Sequence, residues 1–187
     1  MKEYWKGGNM LYPLPAVLVT CGDINGLKNV FTVAWCGTCC TNPPMLYISV
    51  RKERYSYNII KENMEFVVNL TTKDLVYETD FCGVKSGKDL DKFKELNLGI
   101  FESKYVKAPS IDKSPVNIEC KVKEIIPLGS HDMFLANVVS VTIDKDYLDS
   151  NNKFDLNKAN PITYSHGEYF NIGEYLGKFG YSIKKKK

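Results

Sequence analysis

Two arginines and two hydroxyls sit where an apolar run ends and a helix is expected to begin: Ser49-Val50-Arg51, then Arg54 and Ser56. Guanidinium forks match phosphate oxygens, and the free amides of a helix start add oriented donors in the field of the helix dipole. The segment therefore reads either as an anion site or as a charged turn in solvent, and residue types alone leave both open. A second place for chemistry is the turn Gly129-Ser130-His131-Asp132, whose histidine has the right pKa range to donate to a bound group or to shuttle protons near neutrality. The turn from Asp23 through Gly26 to Asn29 reads as structural, because Asp and Asn side chains bond the nearby backbone. Gly83-Val84-Lys85-Ser86-Gly87-Lys88-Asp89 contains glycines but lacks the Walker spacing, which excludes an ATPase. No Rossmann fingerprint, nucleophile elbow or His-Glu-x-x-His helix is present.

The six cysteines are Cys21, Cys36, Cys39, Cys40, Cys82 and Cys120. Cys36-Gly37-Thr38-Cys39-Cys40 invites a metal reading, yet a zinc site needs a second pair or histidines, and only His131 and His166 exist. No metal is expected. In apolar strand-like surroundings a free cysteine behaves as a small hydrophobe; the exception left open is one reactive thiol beside a cofactor.

These groups need elements to hold them. Ala16–Cys21 and Asn29–Trp35 read as strands of a hairpin around Gly22-Asp23-Ile24-Asn25-Gly26, and Met45–Val50 as a further strand rich in β-branched and aromatic residues. Ser56 is expected to cap a short helix through Asn63, Glu65–Leu70 to form a buried strand, and Thr72 to cap a helix through Phe81. Leu90, Phe93 and Leu96 have the spacing of a third small helix. Val116, Ile118, Cys120 and Val122 alternate with polar partners, while Met133, Leu135, Val139, Val141 and Ile143 share a face, so two long antiparallel strands follow with Pro127–Asp132 as their turn. Six or seven strands with small inserted helices predict a mainly β fold, closed or nearly closed into a barrel that hides its edges.

With 187 residues, 44% of them apolar, the chain suffices for one core, and no run is long enough to span a membrane. One domain over 1–187 is expected, with 183–187 a flexible basic tail. The first eight residues lack the pattern of a secretory signal, so a cytoplasmic location is expected. Lys184–Lys187 supply four of the positive charges, which leaves the rest of the chain at a net −1 and speaks against nucleic acid as a partner. A nucleic-acid-binding barrel, using aromatics and the lysine tail, stays as the alternative from another class.

The ordered segments Pro13–Thr20, Asp23-x-x-Gly26-x-x-Asn29, Asn42–Val50, Phe66–Asn69, Phe81-Cys82-Gly83 through Ser86-Gly87-Lys88-Asp89-x-Asp91-Lys92-Phe93, Gly129–Phe134 and Gly167–Gly177 resemble the flavin reductase-like FMN-binding family, particularly its flavoredoxin-like branch. The resemblance implies an FMN-binding split β-barrel, a homodimer, and FMN in a groove near the subunit interface. It implies that Asn29 and Thr32, Val33, Ala34, Trp35, Cys36, Gly37 and Thr38 face the flavin ring. Ser49, Val50, Arg51, Arg54, Tyr55 and Ser56 would hold the phosphate, and Lys88, His131, His166 and Tyr169 would approach the flavin. The chemistry would belong to flavin N5, with no side-chain nucleophile and His131 as the one candidate for a catalytic role. Electrons would come from NADH, NADPH or a partner protein and pass to a flavin or a protein acceptor. A pure FMN electron carrier is the nearest alternative, and a barrel that has lost its cofactor a more distant one.

Overall fold

The computed structural model describes residues 1–183, so Lys184–Lys187 of the expected tail lie outside the described residues. In chain order the elements are β1 (Leu14–Pro15), β2 (Val17–Gly22), β3 (Lys28–Val33), β4 (Cys36–Cys40), β5 (Met45–Arg51), α1 (Tyr55–Asn63) and β6 (Glu65–Leu70). They continue with α2 (Val76–Val84), α3 (Lys92–Glu95), β7 (Ile100–Phe101), β8 (Ser110–Ile111), β9 (Val116–Pro127), β10 (His131–Ile143), α4 (Leu156–Ala159), β11 (Ile162–Ser165) and β12 (Glu168–Asn171). No helix of the described residues is long and apolar enough to cross a membrane.

Seven strands form one antiparallel sheet in the order β3-β2-β6-β9-β10-β5-β4. Its edges, β3 and β4, are consecutive in the chain and joined only by Ala34-Trp35. A flat seven-stranded sheet would hold its edges roughly 29 Å apart at the usual strand spacing. Three Cα steps reach at most roughly 11 Å. The sheet must therefore curl until its edges approach, yet no ladder joins β3 to β4 among the described residues. The result is a barrel with an open seam, as the strand pattern and the resemblance predict. At the seam the chain bends sharply: Cys36 N–H bonds Ala34 O at 3.0 Å, and Ser49 N–H bonds Trp35 O at 2.8 Å. The strand expected over Asn29–Trp35 thus ends at Val33, and Cys36 opens a second strand on the opposite edge, because the chain must leave one edge and join the other.

The barrel interior is filled by Val17, Val19, Phe31, Val33, Ile48, Val50, Phe66, Val68, Cys120, Phe134 and Ala136, with Tyr57, Ile59 and Ile60 of α1 plugging one end. Leu18 and Val30 face the other way, under Leu75, Cys82 and Phe93 of the α2–α3 layer. All of β2 is buried, which accounts for its unbroken apolar run. In β10 the core takes Phe134 and Ala136, both fully buried, rather than the face of Met133, Leu135 and Val141. Register shifts at Leu135/Ala136 and Val138/Ser140 rotate the far half of the strand, so strict alternation does not hold through it.

Caps differ from expectation too. Neither Ser56 nor Thr72 makes a side-chain cap bond; Arg54 and Leu75 precede the helices, and a short 3-10 turn, Lys73–Leu75, leads into α2. The third helix is a single turn, and Asp91 caps it by accepting from the Phe93 and Lys94 amides. The hairpin between β2 and β3 behaves as read: Asp23 Oδ1 accepts from the Asn25 amide at 2.9 Å. Gly22, at φ +93°, is required there because a Cβ would strike the Leu27 carbonyl.

Candidate functional site

The seam opens into two cavities that share Phe31, Arg51, Arg54 and Val84 and so form one two-lobed cleft. The wide lobe encloses about 540 Å³ and the narrow lobe about 280 Å³.

Backbone and aromatic rings dominate the wide lobe. Thr32, Val33, Ala34 and Trp35 form its floor where the chain crosses the seam, and Ser49, Val50 and Arg51 form the facing wall. Arg51 pairs with His131 in register, which brings the end of β5 beside the start of β10. The His131 ring stacks nearly parallel on Trp35, with centroids 6.3 Å apart. Ser130 Oγ lies 2.9 Å from His131 Nδ1. Partial burial, reinforced by the charge of Arg51, holds the imidazole below its ordinary pKa, so it is mostly neutral at pH 7. The small sheet β1-β11-β12 completes the lobe by carrying Tyr164 to 6.4 Å from Trp35 and Tyr169 to 5.9 Å from Tyr164. Tyr169 donates its hydroxyl to Asp80 Oδ1 of α2 at 3.2 Å, and burial followed by that carboxylate pushes the phenol up to about 12.

Charge and fixed polar groups dominate the narrow lobe. Asn29, buried at 4% exposure, donates from Nδ2 to Ser56 Oγ at 2.7 Å, which ties β3 to the first turn of α1. Gly87 packs so close to the Asn29 carboxamide that a Cβ there would overlap it. Arg54 donates from Nη1 to Gly83 O at 2.8 Å, holding the end of α2 against the start of α1. Arg51 pairs with Glu53 at 3.3 Å, and both side chains are exposed. Lys92 forms part of the lobe's wall.

Most of the residues singled out in the sequence meet here. Asn29, Tyr55 and Ser56 line the narrow lobe, Thr32–Trp35, Ser49, Val50, His131 and Tyr169 the wide one, and Arg51 and Arg54 both. Thr32 spends its hydroxyl on Thr79 O, which leaves it no proton for a ligand. Cys36, Gly37 and Thr38 line neither lobe: they run along β5, with Cys36 packed on the core and its thiol pushed up to about 12 by burial. Lys88 lies outside both lobes, in shallower grooves beyond Gly87. His166 turns away as well. It and Gly167 both adopt positive φ to close the β11–β12 hairpin, and its ring packs on Tyr12 with its Nε2 3.4 Å from Met10 Sδ. Sequence reasoning passed over Phe31, Asp80 and Tyr164, whereas the resemblance already implied the loop Ser86–Lys92 near the flavin, and Ser86, Gly87 and Lys92 line the narrow lobe. Among the described residues no group of three His, Cys, Asp or Glu could hold a metal ion.

Residues 9–173 match the flavin reductase like domain. The chain belongs to that family. An uncharacterized protein of Archaeoglobus fulgidus is 33% identical over 160 residues, 86% of this chain and 88% of its own length. Among solved structures, the flavoredoxin of Desulfovibrio vulgaris (Miyazaki F) superposes with a TM-score of 0.91 at 31% identity, covering 98% of this chain and all of its own. The flavoredoxin from Methanosarcina acetivorans gives a TM-score of 0.86 at 29% identity, again over 98% of this chain and all of its own. The fold is that of a flavin reductase-like split barrel.

Proposed function

We propose that this protein binds FMN across the two lobes and works as an electron-transferring flavoprotein. The observation that carries the reading is the pairing of the lobes: an aromatic cavity large enough for a planar ring system opens directly into a smaller, cation-lined one. A flavin mononucleotide has that same division, with a flat ring at one end and a phosphate at the other. Membership of the flavin reductase-like family supports the assignment. When bound, the flavin would supply hydride or single-electron transfer, and the protein supplies binding, orientation and electrostatics.

Each side chain then has a task. Trp35, with Tyr164 and His131 beside it, forms the aromatic walls for the ring, and the seam backbone over Thr32–Trp35 lines the same lobe. Arg51, Arg54 and Ser56 face the phosphate end. His131, neutral at pH 7, adds a polar atom without adding charge to the ring's surroundings.

An absorbance spectrum before and after FMN addition, with gel filtration to remove free flavin, tests the proposal. Two flavin bands that travel with the protein are expected; a colourless protein that retains no FMN overturns it. Two finer readings follow. The first is reduction by NADH or NADPH, with a flavin or protein as acceptor. The second is a carrier reduced only by a partner protein, favoured by the likeness to two flavoredoxins. Stopped-flow reduction with each nucleotide separates them. A homodimer is part of the proposal, supported by the large apolar side chains that both terminal segments leave exposed, among them Trp5, Leu11, Leu176 and Phe179. We place the protein in the cytoplasm as one domain.

A further inference from the structure

We propose that the outer face of α2 and the basic loop after it dock an acidic, one-electron carrier protein over the mouth of the cleft; this rests on the flavin reading above. α2 packs inward through Thr79 and Cys82. Its apolar side chains Tyr77, Phe81 and Val84 have the i, i+4, i+7 spacing that puts them on one face of the helix, and that face looks outward. Tyr77 is 69% exposed and Val84 72%, and the Tyr77 and Phe81 rings lie side by side with centroids 6.2 Å apart. A surface helix ordinarily turns such a stripe to the core. Here the stripe stays on the surface, and its last residue, Val84, lines both lobes of the cleft. Charge around it is one-sided. The turn before α1 presents Arg51, Lys52 and Arg54, and the loop after α2 presents Lys85 and Lys88, all exposed, against Glu53 and Asp89. The carboxylates on the far turns of α2 are occupied: Glu78 pairs with Lys113 at 3.6 Å, and Asp80 accepts from the Tyr169 hydroxyl. The residues ahead of Lys184–Lys187 carry a net −1, so the excess of cations at the cleft is local and not a property of the whole surface.

An apolar centre inside a charged rim is the anatomy of a protein interface, and a small one suits an encounter that must form and break at each turnover. The rim selects an acidic occupant, since opposite potentials steer the approach and fix its orientation. Symmetry disfavours a second copy of this chain as the occupant, because a two-fold contact through this face would set its cations against themselves. A carrier seated here covers Val84 and so stands at the opening of both lobes, beside the bound flavin. Two reduced carriers, arriving in turn, each give up one electron, and the flavin takes those two electrons with two protons from solvent.

The test is calorimetric titration of the FMN-loaded full chain with an oxidised plant-type [2Fe–2S] ferredoxin, an acidic one-electron carrier, for wild type, Lys88→Glu and Tyr77→Ser, with basic cytochrome c as the probe of opposite charge. Wild type should bind the ferredoxin and not the cytochrome, with an affinity that falls as salt rises. Lys88→Glu should weaken binding about tenfold and Tyr77→Ser about fivefold. In stopped flow the rate of flavin reduction by reduced ferredoxin should fall by the same factors, while reduction by photogenerated deazariboflavin radical, a small uncharged donor, should be unchanged in both variants. Three results overturn the proposal: no binding of ferredoxin by wild type, tighter binding of cytochrome c, or full retention of binding by both variants, which would assign the attraction to the lysine tail that every variant keeps. Equal losses of rate with both donors overturn it as well, because they place the effect at the flavin and not at the surface. Should a variant not fold, Lys88→Gln or Tyr77→Asn takes its place. A chain that retains no FMN defeats the flavin reading instead, and titration of that flavin-free chain with the ferredoxin still decides whether the face is a docking site.

Discussion

The two lobes of the cleft are built by opposite strategies. The wide lobe is assembled from backbone at the barrel seam and from aromatic rings carried by three separate stretches, with Trp35 on the crossover, His131 on β10, and Tyr164 and Tyr169 on the small sheet. The narrow lobe is assembled from polar side chains pinned by hydrogen bonds: Asn29 donates to the Ser56 hydroxyl, Arg54 to the Gly83 carbonyl, and Lys92 to the carbonyls of Val30 and Cys82. The first offers shape and stacking, which tolerate small displacements; the second offers directed charge, which does not. On the proposed FMN reading, recognition of a flat ring and recognition of a phosphate would be separable.

Four variants would break or sharpen that contrast. Gly87→Val inserts a side chain where the Asn29 carboxamide packs, so the buried bond from Asn29 to Ser56 must open. Leaving buried polar groups unpaired costs about 1–3 kcal/mol, and FMN affinity should fall about 10–100-fold while riboflavin affinity holds, read by titrating the apo protein with each flavin and following flavin fluorescence. Trp35→Ala, at the other lobe, should lower FMN and riboflavin affinity alike, each by about tenfold, as expected for a lost aromatic contact. Unequal losses would mean that the lobes are not independent. The double variant Arg51→Ala/Arg54→Ala should weaken FMN by only about fivefold, because exposed charges contribute about 1 kcal/mol or less. The smallest effect is expected for Cys39→Ser. Cys39 is exposed on β4 and lines neither lobe, so the spectrum and affinity of bound flavin should not change; a shifted spectrum would reopen the role of the thiol cluster.

One device outside the cleft has a clear sign with pH. Asp132 accepts from the Tyr57 hydroxyl at 2.5 Å and lies 3.3 Å from Lys52 Nζ, and that hydrogen bond, with the lysine, holds its carboxyl below the ordinary value. A depressed carboxylate contributes stability above its unfolded pKa and loses it as pH falls through the folded one. Tyr57→Phe should therefore lower the melting midpoint at neutral pH by roughly 2–10 °C, and the difference from wild type should shrink in acid, as followed by circular dichroism.

Local pattern determined a good part of this protein. Alternation and β-branched residues mark β2, β5, β6, β9 and β10, whose ranges follow from residues that lie near one another in the chain. The cluster of Ser49, Arg51, Arg54 and Ser56 was legible for the same reason, since a strand end and a helix start within eight residues must lie side by side. Tertiary structure decided the rest. The break at Ala34-Trp35 is invisible locally, because it exists only to connect opposite edges of a curled sheet. The inward face of β10 depends on register shifts set by its pairing with β9. Lys92 looks like any surface lysine beside Asp91, and becomes a buried, preset cation only once α3 docks under β3 and α2. Sequence specifies which residues carry charge, but whether water surrounds that charge, and so what it does, depends on which distant elements cover it.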